Sequence, residues 1–292
     1  SNLNLGEALA AMEGTETANV AASGMGAITP TILQFCEAGD HVVSSRTIYG
    51  GTYAFLKNFT PKLNINTTFV DITKLEAVAA AITPQTKIIF CECVSNPLLE
   101  IADIKGLAAI AKKHNLQLLV DNTFSPLTIS PIKLGADVVM HSLTKFINGS
   151  SDTMGGVVCG SQELINSLRD VNSGACMLLG ASMDSLRAAS ILKNLRTLHI
   201  RMQQHSKNAL YLAQKFEADG VRTVYPGLTS HPGHGLYNSM MNEKYGYGGM
   251  LTIDAGGLEN ANKLMELMQE RNVGYLAVSL GFYKTLFSAP GT

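Results

Sequence analysis

A few residues in this chain have the types and spacing to do chemistry together. Lys145 lies in "HSLTKFING", directly after the apolar run "ADVVM", with Ser142 and Thr144 beside it. A lysine whose amine loses its proton, through desolvation or a neighbouring cation, can hold a carbonyl compound as a Schiff base. Asp121 ends the apolar run in "LLVDNTF", with Thr123 two residues on and so on the same face of a strand. A carboxylate placed there is costly unless it meets a positive charge. Tyr49 precedes two glycines in "TIYGGT", where a ring can stack on a flat ligand with its hydroxyl toward a reaction centre. "SGMG", Ser23 to Gly26, opens a helical run; its glycines let the backbone approach an anion, and a helix N-terminus supplies free N–H groups. Asn96, in "CVSNP", is kept out of helical backbone by Pro97, so its amide can point into a cleft. Glu92, inside "KIIFCECV", is a carboxylate in an apolar setting that needs a partner. Taken singly, each also fits a plain structural role: a solvated lysine, a turn glycine, a core tyrosine, an Asn-Pro turn.

The elements that must position these residues alternate. "ANVAAS", "HVVSS", "INTTFVDI", "KIIFCECV", "LQLLVD", "ADVVMHS" and "MGGVVCG" read as strands. Helical patterns such as "GMGAITPTILQFCEAG", "KLEAVAAAI" and "IKGLAAIAKKHN" fall between them. Short Val/Ile-rich runs between helices predict an α/β fold with a mostly parallel sheet covered on both faces. Past Gly160 the sequence is mainly helical, and after about residue 200 it suggests a smaller α+β unit. The predicted division is a large domain over 1–200 and a C-terminal domain over 201–292. The opening "SNLNLGEALAAMEG" reads at once as an amphipathic helix and "LFSAPGT" stops without a closing element, so both ends read as cut.

Composition narrows the function class. The chain has 292 residues, 46% hydrophobic and 15% charged, with a net charge of −1 and no basic block. That argues for a core-rich globular protein and against nucleic acid or an anionic membrane as the main partner. Five cysteines at irregular spacing form neither a disulfide framework nor a metal-type pair, which fits the cytoplasm; no metal site is expected. No apolar run is long enough to span a bilayer and no signal peptide opens the sequence. "SGMG" lacks the full GxGxxG and the Walker pattern, so neither a nicotinamide cofactor nor ATP is favoured.

In open α/β sheets ligands bind beyond the carboxyl ends of the strands, which is where all of these residues fall. An anion cradle, an aromatic platform, an isolated carboxylate and a lysine are together what pyridoxal 5′-phosphate (PLP) needs for its phosphate, ring, pyridine nitrogen and aldehyde. Beyond that reading, "SGMGAI", "YGGTYAFL", "SNP", "DNTF", "LGADVVMHSLTKFINGSSD", "TLHIRM" and "LAVSLG" resemble, in order, the γ-family of fold-type-I PLP enzymes of cysteine and methionine metabolism. The likeness runs over essentially the whole chain. It implies the PLP-dependent transferase-like fold, with Lys145 as the Schiff-base lysine and proton shuttle. It implies Asp121 at the pyridinium nitrogen, Thr123 among the cofactor-binding residues, and Tyr49 on the ring as acid/base at the leaving group. Gly24 and Met25 through backbone, with Ser142 and Thr144 through side chains, would bind phosphate. Asn96 would lie near the cofactor's phenolic oxygen and the substrate carboxylate, and Ser279 in the carboxylate pocket.

The second half is most similar to the plant-type branch of methionine γ-lyases. This implies γ-elimination on a sulfur amino acid, methionine giving methanethiol, 2-oxobutyrate and ammonia, by a homotetramer built as a dimer of dimers. Gly51 stands where many microbial methionine γ-lyases carry cysteine; glycine is found there in the plant-type branch and also in cystathionine γ-lyases and homoserine sulfhydrylases. Cystathionine γ-lyase or β-lyase, cystathionine γ-synthase and O-acetylhomoserine sulfhydrylase therefore remain alternatives, as does a non-catalytic binding protein. The family's N-terminal Tyr-x-Arg and its C-terminal carboxylate-binding arginine are not in this sequence.

Overall fold

The structure, a computed structural model, describes residues 2–289. Helix α1 (Asn2–Glu13) leads into strand β1 (Thr17–Ala21) and helix α2 (Gly24–Phe35). Then follow β2 (His41–Ser45), α3 (Gly50–Ala54), β3 (Asn66–Val70), α4 (Leu75–Ala80) and β4 (Thr86–Glu92). The large sheet is completed by β5 (Gln117–Asp121), which follows α5 (Ile104–His114), and by β6 (Val138–Ser142) and β7 (Gly156–Gly160). Its order is β1-β7-β6-β5-β4-β2-β3. Strands β2 to β6 pair in parallel, and β7 runs antiparallel to both β1 and β6. The fold is thus α/β with a mostly parallel sheet between helices, as the alternation of runs predicts.

Apart from the edge strand β3, whose residues are exposed or half-buried, both faces of this sheet are largely buried, which is why its central strands read as nearly unbroken apolar runs. Alternate residues divide between two cores. Ile89, Cys91, Leu118, Val120, Val139 and Val157 pack with Leu5, Leu9 and Ala10 of α1 and with Leu107 of α5. Ile88, Phe90, Leu119, Val138, Met140 and Val158 pack with Ala27, Ile28 and Ile32 of α2. The period of two carries past the apolar residues. Glu92 follows Phe90, Asp121 follows Leu119 and Ser142 follows Met140 onto the α2 face. His141 follows Val139 onto the α1 face. The five cysteines are buried and unpaired, and burial pushes the thiols of Cys91, Cys93 and Cys159 upward.

Beyond the sheet come α6 (Gln162–Arg169), α7 (Ala175–Leu178), α8 (Ser185–Leu195) and the long α9 (Leu198–Ala218). Two short strand pairs follow, β8 (Thr223–Val224) with β9 (Thr252–Ile253) and β10 (Tyr275–Leu276) with β11 (Leu286–Phe287). Helices α10 (His234–Met240) and α11 (Leu258–Glu270) accompany them. No helix among the described residues is long and apolar enough to cross a membrane.

Candidate active site

Three strands end side by side and deliver polar groups to one face. Glu92 and Asp121 are register partners at the ends of β4 and β5, and Asp121 pairs with Met140 of β6 two residues before Ser142. Asp121 is only 7% exposed. Its Oδ1 accepts the Thr123 hydroxyl at 2.5 Å and the Thr123 N–H at 3.0 Å. The Ser142 N–H in turn donates to Thr123 Oγ1 at 2.8 Å, tying β6 to the same carboxylate. Burial raises the Asp121 pKa, while the two Thr123 bonds and the nearby His141 pull it back. No lysine or arginine pairs with Asp121 among the described residues. A bond to a charged group is worth about 1.5–3 kcal/mol, against several for desolvating a carboxylate. Asp121 is therefore a buried carboxylate whose charge still lacks a compensating cation.

Helix α2 starts beside these groups. Ser23 caps it, its Oγ accepting the Gly26 N–H at 2.9 Å. The first N–H groups of the helix, at Gly24 and Met25, have no partner within the helix and lie at its positive end. A side chain on Gly24 would begin 2.9 Å from Ser142 Cβ and 3.1 Å from Ser142 Oγ. Glycine here lets the helix start approach the strand end closely, bringing its free N–H groups toward the Ser142 hydroxyl. Thr144 is nearby in sequence, but its hydroxyl accepts the Gly155 N–H at 3.2 Å and so also braces the loop it sits on.

That loop, residues 143–155, carries Lys145. Its Nζ donates to Ser279 Oγ at 3.0 Å, joining residues 134 positions apart. Burial lowers the Lys145 pKa, which increases the neutral, nucleophilic fraction of the amine. The backbone after it is clamped. Arg201 of α9 donates to the carbonyls of Phe146, Ile147 and Asn194. Gly281, at φ +80°, passes so close that a Cβ there would fall 2.3 Å from Phe146 N. Only glycine lets the segment bearing Ser279 approach the lysine loop in this way.

Tyr49 and Asn96 border the opposite side. Tyr49 is 49% exposed, its backbone N–H donating to Glu92 Oε1 at 2.7 Å. The Asn96 N–H donates to Glu92 Oε2 at 3.1 Å, and the Asn96–Pro97 bond is cis. The partner that Glu92 needs is thus a pair of backbone amides. Burial and the Asp121 charge together hold the Glu92 carboxyl well above the usual range, against the pull of those two amides.

Two features escaped sequence reasoning. Glu13 Oε1 and His141 Nε2 meet at 2.6 Å beneath the sheet, both fully enclosed, with Glu13 Oε2 and His141 Nδ1 left without partners. The signal was readable: Leu5, Leu9 and Glu13 share one face of α1 at four-residue spacing, so a carboxylate there must enter the core. The Arg201 clamp is the other, and "TLHIRM" offers no local sign of it. No cluster of three metal-ligating side chains occurs among the described residues. A cleft of about 610 Å³ between α9 and residues 238–247 contains none of the site residues.

The site's chemistry is specific. It offers a lysine amine freed by burial, a buried carboxylate lacking a cation, helix-start amides close to the Ser142 hydroxyl, and an aromatic ring at the mouth. These residues fit PLP, whose aldehyde, pyridinium and phosphate match the first three. The whole chain, residues 1–292, matches the family described as Cys/Met metabolism PLP-dependent enzyme. It is 46% identical, over 99% of its length, to a methionine gamma-lyase of Arabidopsis thaliana, covering 66% of that protein. An L-methionine gamma-lyase of Porphyromonas gingivalis is 40% identical over 98% of the chain, with 71% of that protein covered. A cystathionine gamma-lyase of Bacillus subtilis is 39% identical over 96%, with 72% covered. The chain spans about two thirds of the length of the plant relative. Matched from end to end, and carrying a site that fits the cofactor, the chain belongs to the Cys/Met metabolism family of PLP-dependent enzymes.

Proposed function

We propose that this protein cleaves the γ-carbon–sulfur bond of a sulfur amino acid, with methionine as substrate and methanethiol, 2-oxobutyrate and ammonia as products. What carries the reading is the likeness to methionine γ-lyases from a plant and a bacterium over nearly the full chain. When bound, PLP supplies an aldehyde for amines and a protonated ring that withdraws electrons from the substrate's α-carbon.

The residues divide the remaining work. Gly24 and Met25 N–H groups, with the Ser142 and Thr144 hydroxyls, hold the phosphate. Asp121, oriented by Thr123, keeps the pyridine nitrogen protonated. Lys145 removes the α-proton and returns it, which its lowered pKa favours at neutral pH. Tyr49, half exposed at the mouth, would be the acid that gives a proton to the departing sulfur. Asn96 and Ser279 would receive the substrate carboxylate; the bond from Lys145 to Ser279 supports that role for Ser279.

Residues 1–200 form the cofactor domain and 201–292 part of a C-terminal domain. Two such chains share each pair of sites, and two pairs make a tetramer. The exposed Val171, Met177, Leu178, Leu179 and Leu186, close in sequence, support such an assembly. Five free cysteines support a cytoplasmic location.

Keto-acid release should be measured from methionine, cystathionine and O-acetylhomoserine, with and without an added thiol. Methionine should yield 2-oxobutyrate and methanethiol in equal amounts. A kcat/KM for cystathionine more than about tenfold higher would favour cystathionine γ-lyase instead. Turnover only with O-acetylhomoserine and thiol would make the enzyme a sulfhydrylase.

A further inference from the structure

We propose that Glu92 is a positioning residue that locks the Tyr49 loop to the Asn96 loop across the mouth of the site. The inference rests on the proposed roles of Tyr49 and Asn96. Its structural half stands apart from the choice of substrate.

The geometry is a bridge with one abutment. Glu92 ends β4, a central strand with neighbours on both sides. Its two oxygens point to different chain segments, Oε1 to Tyr49 N at 2.7 Å and Oε2 to Asn96 N at 3.1 Å. These segments are far apart in sequence and reach the site from different strands. The Tyr49 side chain is half exposed, so little packing holds its ring. Its backbone N–H, fixed to the end of the sheet, sets where the ring begins.

A carboxyl group suits this task in a way no other side chain of the same length does. Ionised or protonated, each of its oxygens keeps a lone pair for an N–H. Glutamine has one such oxygen; its NH2 would face an N–H donor and repel it. Asparagine or aspartate would be a methylene short of spanning both. The arrangement is also costly, because Glu92 is 7% exposed and lies in register with Asp121. Two buried carboxyls side by side disfavour each other's charge, and a simple loop anchor would not need that position.

A second link between the same loops lies at the rim. Glu100 accepts the Thr47 hydroxyl at 2.6 Å and pairs with Arg46 at 3.1 Å. It anchors the chain before Tyr49 without touching the Tyr49 amide, and so serves as the control.

The experiment compares the PLP-loaded parent with Glu92→Gln and Glu100→Ala by amide hydrogen exchange, visible absorption and steady-state kinetics. In Glu92→Gln, exchange at Tyr49 or Asn96 should quicken at least about tenfold while the β5 amides keep their protection. Cofactor absorption should be unchanged, because Lys145 is untouched. The kcat/KM should fall about ten- to a hundredfold through misplacement of the two loops. Glu100→Ala should leave both amides protected. Unchanged exchange at both amides in Glu92→Gln, or equal quickening in Glu100→Ala, overturns the proposal. Should the glutamine variant fail to fold, Glu92→Asp carries the same comparison: one of the two amides should lose protection, and retention of both overturns it. A substrate other than methionine would change the kinetics and leave the exchange result intact.

Discussion

Asp121, Ser142 and Lys145 stand at or just past the ends of β5 and β6, while Tyr49, Asn96 and Ser279 stand on segments that reach the same space from elsewhere. The first group is held by a short chain of bonds within the sheet, Ser142 N–H to Thr123 to Asp121, and by buried neighbours. The second is held across loops, Tyr49 and Asn96 through Glu92 with Glu100 at the rim, and Ser279 through Lys145. The stiff half matches the parts of PLP, which do not vary between reactions of this family. In the proposed function the loop-borne half faces the substrate, and relatives of this chain are named for methionine and for cystathionine. One scaffold can therefore keep its cofactor chemistry and change its substrate by altering loops.

That contrast can be broken at three points. The largest effect is expected at the stiff end: Lys145→Ala should lower turnover more than about a thousandfold and abolish the visible band of the bound cofactor. A variant that keeps both would remove Lys145 from the chemistry. Next, Asp121→Asn should reduce kcat about a hundredfold, since the amide still accepts the Thr123 bonds but leaves the ring nitrogen without a charge. In the cofactor-free protein the same variant should gain stability relative to the parent as pH rises. Burial lifts the Asp121 and Glu92 carboxyls above their ordinary 3.8 and 4.5, so the folded state keeps protons that the unfolded chain releases. Stability contributed by that protonation is present below the ordinary values and is lost as pH climbs toward the raised ones. Melting temperatures of cofactor-free parent and Asp121→Asn between pH 4 and 8 should diverge, the variant falling less. Parallel curves would show that Asp121 is not raised. The smallest effect is expected on the loop side, where Ser279→Ala should raise KM about three- to tenfold with the cofactor spectrum intact. An equal loss in kcat would place Ser279 in the stiff half after all.

The strands were legible because both sheet faces are buried, and seven apolar runs are hard to mistake. Direction was less so. Strand β7 runs antiparallel, and the clue was the link before it: residues 143–155 contain glycines and hydroxyls but no crossover helix, which a parallel return would need. Lys145, Asp121 and Tyr49 could be singled out because polar groups at strand ends are conspicuous. Glu92 was conspicuous too, yet its partners are backbone amides, which every residue has and no residue type announces. Glu13 and His141 lie 128 positions apart, and their meeting depends on how α1 packs beneath β6. Such pairings come from topology, so single-sequence patterns cannot place them. Arg201 is the same case at the other end, a cation satisfied by carbonyls.

The antiparallel turn of β7 has a further consequence for Lys145. Because Ser142 and Gly156 are register partners, the segment carrying the lysine begins and ends at one rung of the sheet. Its loop-closure entropy has already been spent in forming the sheet, not in forming the site. With Arg201 gripping the carbonyls that follow, the backbone has little freedom left to lose when the amine is captured. What remains is the rotamer freedom of one lysine side chain, at most about 2 kcal/mol. The lysine is in this sense tethered before it reacts, a flexible arm on a stationary base.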